Sequence, residues 1–241
     1  MNNETVGISA EVAIANVFDV EINREYTGRA NEEVTELLEQ DLNDIFEREG
    51  IPLPIEHVAE EQKPVDFVLE DSSTLSVKTN KKQLGKVAPQ IIGQPTAQTY
   101  FEYFDDFIEF EVPETYEEKI NLFKQISINE IETVIKHYWN NLFECEHLLY
   151  FYDIIDKNGD IKGNYKYIYV KRPDKSPNWN EMGFRFTKSL NTWVESCTVR
   201  CITNEGKTIS IGEFQAHRNR NCLKFRFNMR GVLKLIDSGS I

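Results

Sequence analysis

Apolar side chains recur at helical spacing in residues 7–20 (GISAEVAIANVFDV), and again in 31–49 through Val34, Leu37, Leu38, Leu42 and Ile45/Phe46. The pattern predicts two N-terminal helices. Ile51-Pro52-Leu53-Pro54 ends the second, because proline lacks an amide donor and steers its predecessor out of the helical region. VDFVLE (65–70) and LSVKT (75–79) are then short and rich in branched residues, with Asp71-Ser72-Ser73-Thr74 between them as a hairpin turn. After a polar loop at 80–86, helices are expected near 95–106 and 127–143, the latter striped with Ile131, Val134, Ile135, Tyr138, Trp139 and Leu142. From 147 the texture is that of strands: HLLYFYDII, YKYIYVK, GFRFTK, CTVRCIT, TISIGEF and CLKFRFN, punctuated by Asn158-Gly159, Pro173, Pro177 and Glu205-Gly206.

A mixed α/β part over residues 1–145 followed by a largely antiparallel β part over 146–241, packed as one unit, is the economical α+β reading. The 241 residues are 40% hydrophobic and 28% charged, which excludes disorder as a description of the whole. The net charge of −13 argues at first against a polyanionic partner. Mapped along the chain, however, residues 1–145 hold 30 acidic and 11 basic side chains (−19), and residues 146–241 hold 10 and 16 (+6). This asymmetry suggests a basic face for nucleic acid, with the acidic helical segments 1–49 and 101–145 outside the catalytic core; solvated acidic faces would give the same average.

No run of 18 apolar residues exists to span a membrane. The start MNNETVGISAEV lacks the basic and apolar regions of a secretory signal, so a cytoplasmic location with free thiols is expected for Cys145, Cys197, Cys201 and Cys222. Cys197 and Cys201 are four apart, but His57, His137, His147 and His217 supply no accompanying zinc-type ligand pair.

Chemistry concentrates in Pro64-Val65-Asp66-Phe67-Val68-Leu69 and Leu75-Ser76-Val77-Lys78. Alternation places Ser76 and Lys78 on one strand face, and a hairpin partner can bring Asp66 beside them. A carboxylate with a lysine suits phosphodiester hydrolysis, which needs a hard cation to offset phosphate charge and a group to orient or deprotonate water. Glu11 is the one acid within the apolar stretch Ile8 to Phe18, so it needs a partner such as a cation or Lys78, unless it lies solvated at the helix edge. An Asp and a Lys on adjacent strands are also compatible with an ordinary surface pair.

A helix carrying Glu, a proline and Asp on a strand, and x-x-Lys on the next strand together resemble the PD-(D/E)XK nuclease core. The chain resembles type II restriction endonucleases of that superfamily, within the MspI-like monomeric group. The likeness rests on GISAEVAIANVF, PVDFVL with LSVKTNKK, and the closing IGEFQAHRNRNCLKFRFN. It implies a mixed central sheet flanked by helices and extended by a C-terminal antiparallel sheet, and a Mg2+-dependent endonuclease acting on short duplex DNA sites. A cognate methyltransferase would modify the same site. Asp66 would be a metal ligand, Lys78 the catalytic lysine and Glu11 a further carboxylate acting through metal or water, with the Val77 carbonyl completing the ligand set. Ser76 departs from the usual Glu or Asp, although the group tolerates neutral amides there; a hydroxyl can hold a metal-bound water but adds no charge.

Lys81, Lys82 and Lys86 follow the catalytic strand as candidate phosphate contacts, and Gln90 and Gln94 lie in a glycine- and proline-bounded loop with amides suited to bases. Near the C-terminus Arg218, Asn219, Arg220 and Asn221 form a polar loop. In the strand beyond it, Lys224 and Arg226 face away from Leu223, Phe225 and Phe227. The resemblance puts base reading at these two cations, where the group carries glutamine and lysine. Tyr165, Tyr167 and Tyr169 read as one wall of a packed sheet rather than a base-stacking platform, and Trp179 and Trp193 as core or sheet-edge anchors. Two rivals remain: an acidic noncatalytic DNA mimic or protein-binding subunit, favoured by the −19 and by Ser76, and a repair nuclease with the same core.

Overall fold

The computed structural model describes residues 1–59, 64–217 and 219–238. The first elements are helices α1 (Asn3–Val17), α2 (Arg24–Arg29), α3 (Glu32–Glu39) and α4 (Leu42–Glu49), then strands β1 (Pro54–His57), β2 (Phe67–Leu69), β3 (Thr74–Asn80) and β4 (Lys86–Val87). Helices α5 (Ala97–Glu102), α6 (Tyr116–Asn129) and α7 (Ile131–Leu142) follow. The remainder is β5 (His147–Tyr152), β6 (Lys166–Lys171), β7 (Gly183–Phe186), β8 (Ser196–Ile202), β9 (Thr208–His217), β10 (Cys222–Asn228) and helix α8 (Met229–Asp237). Among the described residues no helix is long and apolar enough to cross a membrane.

Two compact units result, one from Met1–Leu84 with Phe143–Arg172, the other from Gly85–Leu142 with Pro173–Ile241. A single division after residue 145 is therefore replaced by units that interleave in sequence. The reason lies in β5, which is buried along almost its whole length and so needs a neighbour on each side. It runs parallel to β3, with Ser76 opposite Leu148 and Lys78 opposite Tyr150, and antiparallel to β6. The first sheet has the order β1-β2-β3-β5-β6, so β5 and β6 leave the expected C-terminal sheet for the one that holds Lys78.

In the first unit, α1 starts from Asn2, whose side chain accepts from the Thr5 amide at 2.7 Å. Val6, Ala10, Ala13 and Ile14 are wholly enclosed, packing with Phe67, Leu75, Leu149 and Phe151. This acidic segment is thus part of the core and does not sit outside it. The helix expected over 31–49 breaks at Gln40-Asp41 into α3 and α4, where the polar run Glu39–Asp41 interrupts the buried stripe. Helix α2 buries no side chain, so apolar periodicity carried no sign of it. The hairpin turn forms as expected: Ser73 donates its amide to Asp71 Oδ1 at 2.9 Å, and Ser72 takes φ 70°. Tyr165, Tyr167 and Tyr169 pack against the apolar cluster as a sheet wall.

The second unit has the antiparallel order β4-β10-β9-β8-β7. Helix α7 covers its inner face, with Tyr138 stacked on Phe225 at 4.4 Å between ring centroids and Trp139 edge-on to Trp179 at 5.5 Å. Of the two places expected for Trp179 and Trp193, core or sheet edge, both take the core. Helix α6 was not anticipated, yet Thr115 and Glu118 close a full capping box at its start, a Thr-x-x-Glu signal readable in the sequence.

Strand β9 changes face midway. Ile209 and Ile211 point inward, as do Phe214 and Ala216, so the parity of the buried positions switches. A bulge accommodates the switch: Val199 pairs with Gly212 but Arg200 pairs with Ser210, leaving Ile211 as the extra residue. Without it, Glu213 would share the core face with Ile211.

Helix α8 approaches β9 so closely that a Cβ on Gly231 would lie 2.1 Å from the Ser210 carbonyl oxygen. That neighbour is backbone and cannot rotate away. Gly231→Ala is accordingly expected to cost about 1–3 kcal/mol by overpacking, read as a lowered denaturation midpoint.

Candidate active site and nucleic-acid interface

Asp66 precedes β2 and is locked by its own backbone: its amide donates to the Leu75 carbonyl and its carbonyl accepts from the Val58 amide, both at 2.9 Å. The residue is 2% exposed. A buried carboxylate requires donors, and three converge on Oδ2: the Val77 amide at 2.5 Å, the Ser76 hydroxyl at 3.1 Å and the Lys78 ammonium at 3.7 Å. Ser76 and Lys78 therefore do share a face, and the hairpin does bring Asp66 to it. The Ser76 hydroxyl is committed to orienting Asp66. Among the described residues all donors to this carboxylate use one oxygen, leaving Oδ1 as the second face of the group.

Glu11 projects from α1 to the same place. Burial raises its pKa above the usual 4.5; the His57 hydrogen bond lowers it, the negative charge of Asp66 raises it and Lys78 lowers it. Its partner is a residue that sequence reasoning passed over. His57, at the end of β1, places Nε2 3.0 Å from Glu11 Oε2, with side chains 2% and 13% exposed respectively. The imidazole lies edge-on between Tyr26 and Phe67, at 4.8 and 5.0 Å. Nothing in the local sequence marks it, because the pairing joins positions 46 apart.

A carboxyl whose pKa rises on folding contributes stability that is complete below pH 4.5 and is lost as pH rises through the folded value. Glu11→Gln escapes that loss. Its melting temperature relative to the wild-type chain should therefore climb between pH 4 and pH 8, which a thermal scan at several pH values would register; a flat difference would contradict the burial of Glu11.

Among the described residues no group of three or more His, Cys, Asp or Glu side chains clusters as a metal site. The available donor set is two carboxylates, Asp66 and Glu11, whose mutual repulsion a cation would relieve. Such a set suits a hard ion that keeps most of its waters and is held by one or two carboxylates plus substrate phosphate.

The cationic residues after β3 divide between the units. Lys81 donates to the Met1 carbonyl at 3.2 Å and Lys82 is exposed, both in the first unit. Lys86 begins β4 in the second, where its Nζ lies 2.7 Å from Glu213 Oε2. Gln90 and Gln94 are exposed. Arg218 lies outside the described residues; Asn219, Arg220 and Asn221 form the exposed turn after β9, with Asn221 at φ 43°.

In β10 the alternation is as expected, with Leu223, Phe225 and Phe227 fully buried and Lys224 and Arg226 on the other face. The expectation of two outward cations needs one correction: Arg226 pairs with Glu213 Oε1 at 3.1 Å, its directly opposite residue on β9. Lys224 has no ion pair among the described residues. The loop before α5 runs along β10, as the amides of Leu223 and Phe225 donate to the carbonyls of Pro95 and Gly93 at 3.1 and 2.9 Å. Gln94 thereby flanks Lys224 on one side, and Gln215 faces it on the other. Residues 130 positions apart in sequence thus form one polar row.

No family model and no solved structure matches the chain. Over 170 residues it is 32% identical to the type II restriction enzyme CviAII of Paramecium bursaria Chlorella virus 1. The match takes in 70% of this chain and 43% of that enzyme, so the chain spans less than half the length of the curated relative it matches. In a fold of two sheets with flanking helices and a buried acid beside a lysine, the chain is thus similar over the matched residues to a type II restriction enzyme.

Proposed function

We propose that the chain is a sequence-specific endonuclease of restriction type that hydrolyses phosphodiesters in short duplex DNA sites, built on a PD-(D/E)XK core of the MspI-like kind. The observation that carries the reading is the convergence of Asp66 and Lys78 on adjacent strands, with Glu11 within electrostatic reach of both, in a chain similar to a type II restriction enzyme.

Asp66 and Glu11, with the Val77 carbonyl, would hold a Mg2+ ion. When bound, the ion offsets charge on the phosphate and lowers the pKa of water. The chain's own groups do the rest. The Val77 amide and Ser76 hydroxyl fix the Asp66 rotamer, so the acid is preorganised. Lys78 supplies a cation where charge develops on the phosphoryl oxygens, and its ammonium can orient the attacking water. His57 holds Glu11 at the edge of the site. Exposed Lys82 and the turn Asn219–Asn221 suit phosphates, whereas the row Gln94, Lys224 and Gln215 suits base edges. A methyltransferase modifying the same site would protect DNA in the same cytoplasm.

Supercoiled plasmid incubated with the protein and Mg2+, with an EDTA control, is expected to give discrete fragments whose sequenced ends share one short motif. Intact DNA would overturn the reading in favour of a binding protein. Cuts without a common motif would favour a repair nuclease.

A further inference from the structure

Glu213 is an acid in the middle of a surface read as binding a polyanion. Its side chain is 12% exposed, and three donors enclose it: Lys86 on Oε2 at 2.7 Å, with Arg226 at 3.1 Å and the Gln215 amide at 2.6 Å on Oε1. The ladder continues, since Gln215 Oε1 lies 3.3 Å from His217 Nε2. Both ends of the Gln215 amide are thereby engaged, which fixes its orientation. The bulge at Ile211–Gly212 alone turns Glu213, Gln215 and His217 to this face.

We propose that Glu213 is a specificity-determining positioning residue: it holds the Arg226 guanidinium and Lys86 in one arrangement for reading bases, at the expense of affinity for phosphates. The inference rests on the endonuclease reading. Its physical basis is that a carboxylate repels the DNA backbone and so lowers binding to every sequence. The same carboxylate pins a guanidinium that would otherwise bind any phosphate in reach. Arg226 Nε is buried and has no acceptor among the described residues, so the guanidinium is held at a cost that an acceptor from a ligand would remove. Lys224, on the neighbouring row, has no carboxylate partner among the described residues.

The test uses the full chain in EDTA and compares binding to the duplex mapped from the wild-type digest, to the same duplex with one base pair changed, and to an unrelated duplex. Glu213→Gln is expected to lower discrimination between the first two by about tenfold, the scale of one base contact. It should also tighten binding to the unrelated duplex and steepen the salt dependence by about one to two charges, as Lys86 and Arg226 become available to phosphates. In an Arg226→Met background the same change should alter discrimination little, because Glu213 acts through the guanidinium. Unchanged discrimination in Glu213→Gln, or equal weakening on all three duplexes, would overturn the proposal. So would an undiminished effect in the Arg226→Met background. Should Glu213→Gln unfold early in a thermal scan, Glu213→Asp carries the test, since it keeps the charge while drawing the carboxylate back from Arg226 and should lower discrimination without tightening unrelated binding. A wild-type chain that binds no duplex overturns the endonuclease reading itself, and this proposal with it.

Discussion

Asp66→Asn and Lys78→Met each abolish plasmid cleavage in Mg2+ while leaving duplex binding within a few-fold of the wild-type chain: this is the expected result with the largest effect. Asparagine keeps the shape of Asp66 and can still accept from the Val77 amide, so the fold survives, but the negative charge that would attract a cation is gone. Methionine keeps the apolar stem of Lys78, which is 14% exposed, and removes the ammonium beside Asp66. Losing a positioned proton-transfer group or a preorganised charge at a phosphoryl centre lowers rates by about 10²–10⁴-fold. Single-turnover cleavage with thermal scans as controls would measure it. Variants that fold and cut at the wild-type rate would remove Asp66 and Lys78 from the catalytic assignment.

The second large effect is expected on recognition. Lys224→Ala should weaken binding to the cleaved site by about 5–150-fold, equivalent to the 1–3 kcal/mol of one good base contact, with a smaller change on unrelated DNA. Arg226→Ala should do the same and also destabilise the chain, because it leaves Glu213 with Lys86 and Gln215 alone. Competition binding at fixed salt separates the two, since a phosphate contact would weaken all sequences alike and lower the salt slope. If both variants discriminated as the wild-type chain does, base reading would belong to other residues.

How much of this was legible depended on the range of each interaction. The alternation of CLKFRFN gave both faces of β10, and the spacing of Asp66, Ser76 and Lys78 gave their convergence, because each follows from one strand or one hairpin. His57 and Glu213 were not visible. The first pairs with a residue on α1 46 positions away, and the second reaches its face through a bulge that strict alternation does not foresee. The parallel pairing of β5 with β3 is likewise a long-range choice that the run HLLYFY permits but does not specify. Charge misled for the same reason. Counted by unit, residues 1–84 with 143–172 hold 24 acidic and 12 basic side chains (−12), and the others 16 and 15 (−1). The contrast of −19 and +6 along the chain therefore belongs to no compact body, and the acidic excess resides in the unit that carries Asp66 and Glu11.

The late arrival of β5 bears on how the candidate site is assembled during synthesis. A ribosome releases Glu11, Asp66 and Lys78 well before His147–Tyr152, and until that strand emerges β3 has one bare edge, with the backbone groups from Leu75 to Asn80 lacking their parallel partner. The intervening segment Gly85–Leu142 belongs to the other unit. The strand bearing the candidate lysine is thus completed only once residues 147–152 have been synthesised. A truncated product ending before β5 would contain every candidate catalytic residue and no finished sheet to align them.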